Sequence, residues 1–234
     1  MRLKGTQNRF TVEVDGPIIR IKATPQVGNS NKAQLLINKI KSQRQSEVIS
    51  KAIDFASIAH EGQYRRIANP PPIPYIVHPL TIAINLIKHN CSDEVVAAAI
   101  LHDTIEDTKI TYEQIEQNFG REVADLVSYV TELDKTHLWE ERKGRYIEHL
   151  KSAPLDAIFI SCADKLDNIR SLKKSISRWG ELAWLPYSRP RADQKQFFHS
   201  LVDVYESRLS EDTTGNFKEL FDMFKAEVEK VFSN

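Results

Sequence analysis

The sequence predicts an all-helical body carrying a short β-hairpin at its N-terminus, and three observations carry the prediction. From Lys32 onward, apolar residues recur at the three- and four-residue spacing of a buried helix face. Before that, "RFTVEVDGPIIRIKAT" alternates with period two on both sides of Asp15-Gly16, a pair that tolerates the positive φ of a tight turn. Between the two patterns lies "PQVGNSN", a linker composition. Residues 1–31 thus read as a hairpin extension with its linker, and residues 32–234 as one helical domain, long enough for a single substantial core.

In chain order, the periodicity predicts helices at about 32–43, 46–61, 79–90, 92–106, 111–118, 120–132, 137–152, 154–172, 175–184, 191–210 and 216–232. Several carry their own start signals. Ser92 precedes "DEVVAAAILH" with acids in the first turn, Thr111 opens "TYEQ" as a capping box, and Pro154 sits where its missing N–H does no harm. Gly120 separates two short helices, and "RRIANPPPIPY" is the one long Pro-rich interruption. Such a loop cannot be helical, and loops of this kind often border sites.

Composition narrows the function classes. Basic and acidic residues balance at 32 each, so overall charge argues neither for nucleic-acid binding nor for an acidic buffer protein. Residues 1–44 nevertheless hold nine Lys or Arg against two acids, a local charge of +7. That charge could steer a polyanion or support self-association of the chain into a homo-oligomer. Cys91 and Cys162 form no CxxC pattern, and no stretch approaches the length needed to span a bilayer. The expected setting is soluble, reducing and cytoplasmic.

The densest chemistry lies in "LHDTIEDT", residues 101–108, directly after the apolar run "VVAAAI". On one continuous helix His102 would stand below Glu106, and Asp103 below Asp107, because a step of four returns to nearly the same face. Upstream, "PYIVHP" supplies His78; downstream, "ISCADKLDNIR" sets Asp164 in an apolar helix, with Asn168 one turn on. A carboxylate buried in such a setting needs a partner, and a divalent cation is an adequate one. Imidazoles and carboxylates without a thiolate make a mixed N/O site suited to Mn²⁺, Fe²⁺ or Zn²⁺. His60 is a rival imidazole, read as a packing residue or one that supports the ligands.

The order and spacing of "AHEGQYRR", "PYIVHP", "LHDTIEDT", "FGREVADLVSYVT", "ERKGRY" and "ADKLDNIR" closely resemble the HD-type hydrolase domain of the RelA/SpoT family, in its stand-alone form the small alarmone hydrolases. The likeness covers about residues 46–175. It implies an HD-domain helical bundle holding one Mn²⁺ through His78, His102, Asp103 and Asp164. It implies removal of the 3′-pyrophosphate of (p)ppGpp, or of its adenine analogue (p)ppApp, by attack of a metal-bound water, giving GDP or GTP (or ADP or ATP). Glu106 and Asp107 match the residues that act on that water. Arg65 matches the residue that packs on the purine, Arg66 one near the phosphates, and Asn168 one that contacts the nucleotide.

Two departures stand out. The family runs from its paired basic residues to the metal histidine through a short "SGEPY"-like loop, whereas this chain has "IANPPPIPY" with four prolines. The change bears on base preference, guanine against adenine. In "ADKLDN", Asp167 adds an acid beside the site that either repels an anionic substrate or pairs with a nearby cation. Other readings keep the pocket: a nucleotide 2′- or 3′-phosphatase acting on a substrate such as NADPH, or a nucleotide sensor without turnover.

Overall fold

A computed structural model describes residues 31–65, 73–132 and 136–233, with side chains from Lys32, together with the backbone of residues 12–15 and 18–21. Eleven α-helices are present among the described residues: α1 (Asn31–Gln43), α2 (Glu47–Ala59), α3 (Val77–Lys88), α4 (Asp93–Leu101), α5 (Thr104–Asp107), α6 (Tyr112–Phe119), α7 (Arg121–Val130), α8 (Trp139–Ser152), α9 (Leu155–Trp179), α10 (Arg191–Ser207) and α11 (Asn216–Phe232). In the N-terminal segment, Val12–Asp15 and Ile18–Ile21 pair antiparallel, Val12 opposite Ile21; the turn at Gly16 lies outside the described residues.

The helix starts follow from local chemistry. Ser46, Ser92 and Thr111 each accept a backbone N–H of the first turn, and Gln114 returns the bond to Thr111 as a capping box. Helix α4 is buried all round from Val95 to Leu101, because the run "VVAAAIL" offers no polar face. Small alanines let α2 and α3 approach it closely, and α9 completes the layer. Helix α11 packs along α9 and α10 packs on α11, reaching α9 through the Tyr205 hydroxyl at Ser161; Tyr205, Phe217, Phe221 and Phe224 are all essentially inaccessible.

Two predicted boundaries need correction. The expected helix 92–106 is interrupted: α4 ends at Leu101, and the single-turn α5 begins at Thr104. Conversely, the helices expected at 154–172 and 175–184 are joined, since α9 runs unbroken for 25 residues. Only Gly180, with φ +56, stops it, and a short 3₁₀ turn over Gly180–Trp184 follows. Trp139 and Trp184 pack edgewise or tilted on Phe197 and Phe232, as packing residues do. Among the described residues, no helix is long and apolar enough to cross a membrane.

The ends of the Pro-rich loop are pinned to each other. Arg65 N donates to Ile73 O at 2.9 Å and Tyr75 N to Gln63 O at 2.9 Å, around a single bridge between Tyr64 and Pro74. Gly62, at φ +77, turns the chain from α2 into this bridge. The consequence is positional: Arg65, Tyr75 and His78 are held near one another whatever residues 66–72 do between them.

Candidate metal centre

Three segments distant in sequence converge where α3, α4 and α9 meet. His78 is the second residue of α3, His102 directly follows α4, and Asp164 lies within α9. Their exposures are 3, 3 and 6 %, a burial that ionisable groups tolerate only with partners. One ligand atom from each lies within 4.8 Å of the other two. His78 Nε2 stands 3.0 Å, and His102 Nε2 3.8 Å, from Asp164 Oδ1.

The break between α4 and α5 shapes this geometry. Neighbouring residues on a continuous helix point about 100° apart. Here Asp103 takes φ −92 and ψ −2, the sparsely populated bridge region in which many active-site residues sit. Two side chains compete for the backbone carbonyls at the break: Thr104 Oγ1 donates to Leu101 O at 2.7 Å, and His102 Nδ1 lies 2.8 Å from Ala99 O. As a result His102 Nε2 and Asp103 Oδ2 come within 2.9 Å of each other. The stacking of Glu106 over His102 expected on a single helix is therefore replaced by a turn between them.

Carbonyl oxygens only accept, so His102 Nδ1 carries the hydrogen and Nε2 is the nitrogen left to bind a metal. His102 Nε2 is buried and has no hydrogen-bond partner, since its approach to Asp103 lacks hydrogen-bond alignment. Two imidazole nitrogens and a carboxylate oxygen face a common point, with an orphaned nitrogen among them. That donor set fits a borderline divalent cation.

The charges around these groups attract a cation, whether a proton or a metal ion. Burial alone would lower the His102 pKa, but Asp103 and Asp164 outweigh it and push it up to about 9. Burial would likewise raise Asp164; Lys165, His78 and His102 hold its carboxyl well below the usual range instead. Lys165 Nζ donates to Asp164 Oδ2 at 2.7 Å and Asn168 Nδ2 to Oδ1 at 2.7 Å. The pocket is built to hold positive charge.

The other predicted residues fall around this core. Asp103 stands outside the group of three, its Oδ2 2.9 Å from His102 Nε2 and 3.7 Å from His78 Nε2, and accepts the Tyr75 hydroxyl. Glu106 and Asp107 lie half-buried on α5; Glu106 Oε2 accepts from Glu132 N at 3.3 Å, and Gln63 Nε2 donates to the Asp107 carbonyl at 3.0 Å. Asn168 is engaged with Asp164, and Arg65 Nη2 donates to Asp167 Oδ2 at 3.1 Å and Ser171 Oγ at 3.0 Å. Arg66 and the loop 66–72 lie outside the described residues. His60 pairs with Gln63 at 2.8 Å and lies against Tyr75, apart from the group of three.

Several contributors escaped the sequence reading. Tyr75, Lys165, Ser171 and the half-buried cluster of Glu132 with Arg142 and Lys143 all bear on the centre. Tyr75 and Lys165 lie inside the quoted motifs, so their positions were visible; their bonding partners, on other helices or on the other oxygen of a ligand, were not.

The family model described as HD domain matches residues 52–183, more than half of the chain. A protein named guanosine-3′,5′-bis(diphosphate) 3′-pyrophosphohydrolase MESH1 from Xenopus tropicalis is 40 % identical over 138 residues, covering 57 % of this chain and 75 % of its own length. The chain belongs to the RelA/SpoT-type HD hydrolases. A guanosine-3′,5′-bis(diphosphate) 3′-pyrophosphohydrolase from Aquifex aeolicus is 37 % identical over 129 residues, 54 % of this HD hydrolase but only 18 % of that much longer protein. A crystal structure from Listeria monocytogenes, 35 % identical, superposes with a TM-score of 0.60 over 72 % of this chain and all of the other. A metazoan SpoT orthologue described as hydrolysing ppGpp, 27 % identical, superposes with a TM-score of 0.61 over 81 % of this chain and 96 % of its own.

Proposed function

We propose that this HD hydrolase removes the 3′-pyrophosphate of (p)ppGpp, or of (p)ppApp, using one Mn²⁺ held by His78, His102 and Asp164 with Asp103 alongside. The observation that carries the reading is the buried group of His78, His102 and Asp164, formed by the same segments that resemble the alarmone hydrolases. A divalent cation in such a site supplies Lewis acidity to a phosphoryl oxygen and lowers the pKa of water.

The chain's own residues do the rest. Glu106 and Asp107, one turn beyond the ligand pair on the single-turn α5, orient the attacking water and accept its proton. Glu132 N fixes Glu106 through its Oε2, so the carboxylate is aimed before substrate arrives. Arg65 presents a planar guanidinium to the purine, Arg66 a second to the phosphates, and Asn168 contacts the nucleotide while steadying Asp164. Water adds to the phosphorus bonded to the ribose 3′-oxygen, that oxygen leaves and takes up the proton accepted by the acid pair, and the products are pyrophosphate and GDP or GTP, or ADP or ATP from the adenine substrate.

On the same reading, residues 1–31 form a β-hairpin extension and linker on a helical hydrolase domain spanning 32–234, and the extension's basic charge supports self-association. Both cysteines are free and buried, which suits a reducing, cytoplasmic setting. The test supplies Mn²⁺ and compares pyrophosphate release from ppGpp and ppApp with phosphate release from NADPH. Pyrophosphate from one alarmone is expected; phosphate from NADPH alone, or no turnover with metal bound, contradicts the reading.

A further inference from the structure

Asp167 is an acid of this centre that neither the ligand group nor the water-activating pair uses. A single oxygen, Oδ2, meets two groups with different duties: His78 Nδ1 at 2.7 Å and Arg65 Nη2 at 3.1 Å. The side chains involved are largely enclosed, with 2 % exposure for His78, 12 % for Arg65 and 16 % for Asp167, so solvent does little to weaken these contacts.

Each contact has a consequence. The carboxylate oxygen only accepts, so His78 Nδ1 carries the hydrogen and Nε2, 3.0 Å from Asp164 Oδ1, is the nitrogen directed into the ligand group. A carboxylate behind a ligating imidazole fixes its ring and raises its basicity. Arg65 is seated by two acceptors one turn apart on α9, Asp167 and Ser171. The two donors share one oxygen, so what strengthens one contact weakens the other.

We propose that Asp167 is a positioning residue that couples metal binding at His78 to the seating of Arg65. The proposal rests on the reading of this centre as a metal site with Arg65 toward the nucleotide. When an anionic ligand draws the guanidinium off Oδ2, that oxygen's full charge falls to the His78 N–H, and the imidazole becomes a stronger ligand. Linkage makes the effect reciprocal. An ion bound at Nε2 polarises the His78 N–H toward Asp167, loosens the grip on Arg65 and releases the arginine to substrate.

The experiment is a Mn²⁺ titration of the metal-free full chain, followed by the electron paramagnetic resonance of free Mn²⁺, for wild type, Asp167→Ala, Asp167→Asn, Arg65→Ala and the Arg65→Ala/Asp167→Ala double variant. Asp167→Ala is expected to weaken Mn²⁺ binding about 10- to 100-fold. Asp167→Asn keeps an oxygen acceptor and is expected to lose less; being isosteric, it also guards against a folding artefact. Arg65→Ala is expected to tighten Mn²⁺ binding about fivefold when Asp167 is present and not at all when it is Ala. In steady state, Asp167→Ala should also change the KM for alarmone by a larger factor than kcat.

Wild-type-like Mn²⁺ affinity in both Asp167 variants overturns the proposal, and so does an equal effect of Arg65→Ala in the two backgrounds. A wild type that binds no Mn²⁺ overturns both this proposal and the metal site beneath it. If Mn²⁺ affinities follow the expected order while no alarmone is turned over, the substrate reading fails and the coupling stands.

Discussion

Where α10 and α11 pack beside α9, the interior is aromatic: Tyr205 meets Phe224 edge-on at 5.3 Å, Phe159 meets Phe217 edge-on at 5.1 Å, and Phe198 lies tilted to Phe232 at 5.7 Å. Where α3 and α4 meet the same helix, an apolar interior encloses three ionisable groups, His78, His102 and Asp164, buried as deeply as Phe159 and Phe198. The aromatic layer removes apolar area from water and stabilises the fold directly, each fully buried ring by about 1.5–3 kcal/mol. The ionisable layer costs energy to form and is repaid only through charge pairing. Helix α9 thus serves the aromatic layer and the candidate centre through different residues, Phe159 and Asp164, which separates what holds the protein together from its proposed chemistry.

That separation can be broken or sharpened by substitution. The largest effect is expected from Asp164→Ala, which removes a proposed ligand and should abolish Mn²⁺ binding and turnover together; metal content and pyrophosphate release check it. Glu106→Gln should keep the metal and lower kcat about 10²- to 10⁴-fold, as loss of a general base does. Near-normal kcat would remove Glu106 from the mechanism. Phe224→Ala tests the other layer: a cost of about 3–5 kcal/mol in urea unfolding, with Mn²⁺ affinity intact in the folded fraction.

Smaller effects probe the joints. Thr104→Val deletes the hydroxyl that takes the Leu101 carbonyl and should cost about 1 kcal/mol while weakening Mn²⁺ binding, because the break loses a support. A pure stability loss without any change in metal affinity would show that the break does not aim His102. Glu132 gives the pH arm. Burial would raise its pKa, but Lys143, Lys165 and Arg142 hold it below its ordinary 4.5. A depressed carboxyl contributes stability that is complete above the unfolded value and disappears as pH falls through the folded one. The stability gap between wild type and Glu132→Gln should therefore narrow as pH drops below 4.5; a constant gap would mean that the ionised form is not what Lys143 and Arg142 stabilise.

The sequence made the helical body and its motif segments legible, because caps at Ser46, Ser92 and Thr111 and a three- to four-residue apolar spacing are local signals. It did not reveal the break after Leu101, since "VVAAAILHDTIEDT" contains no Gly or Pro and its periodicity continues across the gap. The cause is side chains bonding to carbonyls, a choice settled by the packing around them. The continuity of α9 was hidden for the opposite reason: the polar run after Leu172 looks like an end, yet nothing before Gly180 stops a helix already anchored on α3 and α11. Asp167 was visible as an added acid, but its two partners, His78 and Arg65, lie 89 and 102 residues away.

The central claim is that a cation at His78, His102 and Asp164 drives pyrophosphate release from an alarmone. Its most direct test titrates the metal-free protein with Mn²⁺ while following pyrophosphate release from ppGpp and ppApp. Turnover is expected to rise from background and saturate at one Mn²⁺ per chain, with no rise in His102→Ala. Turnover of equal rate in the metal-free protein, or full activity in His102→Ala at the same Mn²⁺ concentration, would contradict it.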